Sequence, residues 1–69
     1  MIRISDWRPG LQTVSLIFLL QEECGMPLRD AKRAVERLLD GGEIELRTIV
    51  PDREEAIRGK IDRLGAICK

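Results

Sequence analysis

The run Cys24-Gly25-Met26-Pro27-Leu28-Arg29-Asp30-Ala31-Lys32-Arg33-Ala34-Val35-Glu36 follows directly on a leucine-rich apolar segment, and its reading decides the fold. At 100° per residue, Leu28, Ala31, Ala34, Val35, Leu38 and Leu39 fall in one arc, and Arg29, Lys32, Arg33, Glu36, Arg37 and Asp40 take the rest. That is a helix with one buried face. Pro27 suits its first position, where a missing N–H costs nothing, and Gly25 supplies the left-handed residue on which the preceding helix can stop. Two helices therefore meet at a tight corner.

Upstream of the corner, Leu11 to Cys24 is leucine-rich, long, and ends Gln-Glu-Glu-Cys-Gly, which favours a helix over a buried strand. Leu16, Ile17, Leu20 and Cys24 form its expected core stripe, and Val14 and Phe18 widen the apolar arc to roughly 200° at 3.6 residues per turn. One packed face needs less than that. Either a third helix covers the excess, or the excess is a docking surface. Met1 to Trp7 alternates, with Ile2 and Ile4 opposite Arg3 and Ser5, and reads as a short edge strand. Ser5 to Gly10 then turns the chain through Pro9 and Gly10, with Trp7 at the loop entrance.

Downstream, Asp40-Gly41-Gly42 breaks the helix, and Glu43 to Val50 alternates as a second strand. Pro51-Asp52-Arg53-Glu54-Glu55 predicts a helix start in which Asp52 caps and Glu55 reaches back. Ile57, Ile61 and Leu64, with Ala56 beside them, face inward, and Gly65 closes the helix. Gly59 in mid-helix costs about 1 kcal/mol against alanine, to be offset by a close approach to the sheet. Ala66 to Lys69 is a last short strand. The order β-α-α-β-α-β predicts an α+β domain: a three-stranded antiparallel sheet covered on one face by three helices.

Sixty-nine residues with 43% hydrophobic content make a single small domain, 1–69, of limited core. Twelve basic and twelve acidic side chains cancel, which argues against nucleic acid or an acidic membrane as partner and weakens self-repulsion, so that a homodimer is compatible with the charge. Cys24 and Cys68 read as cytosolic thiols, with a disulfide or a dimer-forming Cys68 as alternatives. The longest apolar run, Leu16 to Leu20, is too short to span a bilayer, and no leader precedes it, so a cytoplasmic protein is expected.

Chemistry has little to stand on. The chain has no histidine or tyrosine, so Ser5, Ser15 and the cysteines lack a base, and no metal or cofactor site is expected. Enzymatic activity is not expected either. Arg29, Arg33 and Arg37 recur at i, i+4 and i+8 on the polar side of the second helix, where an acidic partner could bind; Lys32–Glu36 and Arg37–Asp40 pairs should absorb some of that charge.

Gly25-Met26-Pro27-Leu28-Arg29-Asp30-Ala31-Lys32, then Val35-Glu36, resembles the Gly-Leu-Gly-Leu-Lys-Glu-Ala-Lys…Val-Glu run of the C-terminal domain of the bacterial ribosomal stalk protein, and Leu64-Gly65-Ala66 resembles that family's Ala-Gly-Ala before its last strand. That domain has the element order derived above, and so does the ClpS protease adaptor. The stalk resemblance implies that the first two helices bind translational GTPases. Carried over by position, the family's lysines fall on Thr13 and Phe18 and its arginine on Gln21, while Ile17, Leu28 and Lys32 are kept and the corner glycine becomes Pro27. The scaffold survives while part of the cationic surface does not. A phenylalanine in place of lysine exchanges salt-dependent steering for apolar contact. The chain also starts at the first strand, without the dimerisation segment and hinge that attach the stalk protein to the ribosome. The ClpS resemblance is thinner: its asparagine-aspartate loop becomes Ser5-Asp6-Trp7, its histidine is missing, and only Asp6 is left to accept a charged amine.

The expected partner-binding surface is Val14, Ile17, Phe18 and Gln21, continued around the corner by Met26, Leu28, Arg29 and Lys32, with Trp7 as an aromatic anchor. It implies a non-enzymatic interaction module, either stalk-like and bound to a translational GTPase, or a dedicated adaptor or inhibitor of one target protein, such as a protease adaptor or a toxin neutraliser.

Overall fold

The structure, a computed structural model describing residues 1–49 and 51–68, has the elements β1 (Ile2–Trp7), α1 (Thr13–Cys24), α2 (Leu28–Leu39), β2 (Ile44–Leu46), a 3-10 turn (Pro51–Arg53), α3 (Glu54–Leu64) and β3 (Ala66–Cys68). The order is β-α-α-β-α-β, and the sheet is antiparallel throughout, as expected. Its strand order is β2-β1-β3. β1 is thus the central strand, not an edge. Alternation of Ile2 and Ile4 reports one buried face and says nothing of pairing, and the two three-residue strands both need the longer β1 as partner.

β1 changes phase midway. Ile4 pairs with Cys68 but Asp6 pairs with Ile67 and Trp7 with Ala66, so Ser5 is an extra residue bulged out of the ladder. Strict alternation would turn Asp6 inward after Ile2 and Ile4. The bulge instead puts Trp7 beside buried Ala66, packed against the core, and leaves Asp6 exposed, where its Oδ1 accepts the Trp7 N–H at 2.8 Å.

β2 is shorter than its alternation suggested. The ladder ends at Leu46, and Ile49 N–H donates to the Glu23 carbonyl at 2.9 Å. That carbonyl belongs to the last turn of α1, where helical partners run out, so the chain leaves the sheet to supply one. Val50 and Lys69, expected to end the second and third strands, lie outside the described residues.

At the corner, Gly25 takes φ +65° as expected, and Pro27, with ψ 154°, stands just before the helix it was expected to begin. α2 buries Ala31, Val35 and Leu38 and leaves Leu28 and Leu39, the outer members of its arc, exposed. In α1 the buried residues are Leu16, Leu19 and Leu20, with Ile17 and Cys24 half-buried. Leu19 was not in the expected stripe. α1 packs on α3 as well as on α2, which turns its buried arc toward Leu19.

α3 buries Ile57 and Ile61 and stops at Gly65, φ +103°, but Ala56 is exposed. The expected Asp52 cap does not form, because the 3-10 turn shifts the helix start to Glu54 and no side chain caps it. Nor does Gly59 make a close approach: it is exposed, and an added Cβ would meet nothing within 4 Å. No helix among the described residues is long and apolar enough to cross a membrane.

Candidate protein-binding surface

α1 is apolar over more of its circumference than the core can use. Val14 and Phe18, one turn apart, remain 65% and 59% exposed, while Ile17 and Gln21 beside them are half-buried. Fully burying such a side chain is worth about 1.5–3 kcal/mol, so the free domain forgoes much of that at each of the two positions. Phe18 lines a groove of about 360 Å³ between α1 and α3, with Leu19 and Leu64 as apolar lining and Ser15, Glu22, Lys60 and Arg63 around them. The α3 side of this groove was invisible in the sequence, since nothing local to Lys60, Arg63 or Leu64 says which helix they will meet.

The corner residues form a different neighbourhood. Leu28 is 58% exposed at the start of α2, and Arg29 and Lys32 are exposed beyond it. Met26 is half-buried and lines a second groove, of about 520 Å³, between α2 and β2. The two grooves share no lining residue, so the expected surface divides into an α1 part around Phe18 and a corner part around Met26. Trp7 is half-buried against the core at the end of β1.

The electrostatics also depart from expectation. Among the described residues neither Lys32–Glu36 nor Arg37–Asp40 closes to an ion pair; the pairs formed within 4 Å mostly link separate elements. Arg53 and Lys60 converge on Glu23 at 3.0 and 3.6 Å, and Arg3 reaches Glu45 at 2.7 Å across the sheet. Hydrogen bonds from Arg53 hold the Glu23 carboxyl below its ordinary pKa of 4.5 despite partial burial. The helix spacing that suggested the missing pairs is permissive only, and long exposed side chains gain little by closing them. Both cysteines are free thiols, and burial pushes each thiol pKa up.

No protein-family model, curated protein or solved structure matches this chain, so its surface is characterised by its own chemistry.

Proposed function

We propose that this domain is a non-enzymatic protein-interaction module of the stalk C-terminal type, working in the cytoplasm, that binds a partner protein through α1 and the α1–α2 corner. The observation that carries the reading is the exposed pair Val14 and Phe18, an apolar surface on a helix whose other side already fills the core. Ile17, Gln21 and Leu28 extend the contact, and Arg29 and Lys32 give it a charged rim. A second reading, a dedicated adaptor or inhibitor of one target, is favoured specifically by Phe18 and Gln21, which stand where the stalk resemblance has cationic residues: both remove a charge, and Phe18 puts an apolar ring in its place.

A tagged domain incubated in host lysate at low and high salt, beside its Phe18→Lys counterpart, tests both. Translational GTPases captured only at low salt favour the stalk-like reading, and a single unrelated protein that survives high salt favours the dedicated one. If Phe18→Lys retains every partner that the unaltered domain captures, the α1 face is not the site.

A further inference from the structure

The groove between α1 and α3 carries its charges in a fixed order. The two helices run antiparallel along it: Gln12 N–H donates to the Leu64 carbonyl at one end, at 2.9 Å, and Lys60 reaches Glu23 at the other, at 3.6 Å. Phe18, Leu19 and Leu64 make the apolar centre, Glu22 stands on the α1 rim, and Lys60 and Arg63 stand on the α3 rim. Side chains on a helix lean toward its N-terminus, so on antiparallel helices Glu22 and Arg63 lean toward the same level of the groove. Yet no ion pair closes between them, and neither pairs with any other described residue. An exposed carboxylate and an exposed guanidinium thus face each other, unmatched, across an exposed phenylalanine.

We propose that the occupant of this groove is a second copy of the chain, related by a two-fold axis that runs along the groove and lays α1 of each copy over α3 of the other. That operation exchanges the rims. Glu22 of each copy then faces Arg63 and Lys60 of the other, and Val14 and Phe18 of each meet Leu64 of the other, so every contact is made twice. An occupant of a single sign does less well, because an acidic helix is repelled by Glu22 and a basic one by Lys60 and Arg63. What fits is a surface with both signs in reversed order about an apolar centre, and the chain's own groove is such a surface once turned over. Equal numbers of acidic and basic side chains leave no net charge to hold two copies apart. The inference goes beyond the proposed partner contact and shares its α1 face, so a partner protein must displace the second copy. Self-association then closes α1 when the domain is concentrated and frees it when the domain is dilute.

The test is sedimentation equilibrium of the purified domain from about 10 μM to about 1 mM, under reducing conditions so that neither thiol links two chains. The apparent mass should rise from the monomer's toward twice that value, and less steeply at high salt. Phe18→Lys should lower the association constant at least tenfold with a melting temperature within a few degrees of the unaltered domain's. Glu22→Arg and Arg63→Glu should each stay monomeric alone, because each sets like charges together twice. Mixed in equal amounts they should associate, because the mixed pair restores both contacts as opposite charges. Three results would each overturn the proposal: the monomer's mass throughout, association undiminished in Phe18→Lys, or charge variants that associate no better mixed than apart. No partner protein is present in these measurements, so failure of the dimer leaves the partner reading untouched, and loss of partner capture leaves the dimer standing.

Discussion

Arg53 grips Glu23 with a two-pronged contact, Nε to Oε2 and Nη2 to Oε1, each at 3.0 Å. Through it the turn before α3 is fastened to the last turn of α1, and Ile49 N–H on the Glu23 carbonyl and Lys60 on its carboxylate complete the junction.

The junction makes an acid-dependent contribution to stability. The Glu23 carboxyl titrates below its ordinary 4.5 because Arg53 hydrogen-bonds its ionised form. Its contribution is therefore complete above the unfolded-state value and is lost as pH falls through the lower folded one. Glu54 shifts the same way, chiefly through its bond from the Met1 amine. In thermal melts from pH 7 to pH 2, Glu23→Gln should melt a few degrees below the unaltered domain at neutral pH, and the two curves should converge in acid. A constant gap would place the effect of the substitution in packing instead of charge.

Phe18→Lys should leave the melting temperature within a few degrees, as expected of a substitution at a side chain that is 59% exposed. A fall of about ten degrees or more, against the usual 4–8 °C per kcal/mol for a domain of this size, would mean that Phe18 supports the α1–α3 packing from within its groove.

Two glycines should respond oppositely to alanine. Gly59→Ala places a methyl group in open space on a regular helix and should stabilise by about 0.5–1 kcal/mol. Gly65→Ala forces φ +103° on a residue with a Cβ, which would also come within 3.1 Å of the Leu11 backbone, and should cost more than about 1 kcal/mol. Urea midpoints for the pair measure both.

The thiols should react slowly. Burial raises the pKa of Cys24, with the nearby Glu23 charge adding to it; burial also raises Cys68, partly opposed by Arg58. Alkylation with iodoacetamide at pH 7.5 should be several-fold slower in the folded domain than in urea, because the thiolate is the reacting form. Equal rates would mean that neither thiol is shielded.

What could be read in advance was whatever periodicity and punctuation encode. Gly25 and Gly65 ended their helices where expected, and Ala31, Val35 and Leu38 turned inward, because these choices are made by neighbours three or four residues away. The central position of β1, the bulge at Ser5 and the inward turn of Leu19 depend on partners far along the chain and leave no local trace. The candidate surface divides the same way. The overfull apolar arc singled out Phe18 but left open whether a third helix would cover it, and its neighbours Lys60, Arg63 and Leu64 come from packing between α1 and α3. Arg33 and Arg37 were conspicuous as a row, but that they share a groove with an open strand edge is a product of the sheet order.

Because β1 lies between β2 and β3, it leaves the ribosome before either of the strands that flank it. During synthesis Ile2 and Ile4 have no sheet to join until residues 44–46 emerge, and Trp7 has no cross-strand neighbour until Ala66 does. A nascent chain can form the local α1–α2 corner early, but closing the sheet must wait for contacts forty or more residues apart in sequence, which carry the loop-closure cost that slows folding. Until then the apolar face of β1 and both its unpaired edges are open to whatever else the cell offers.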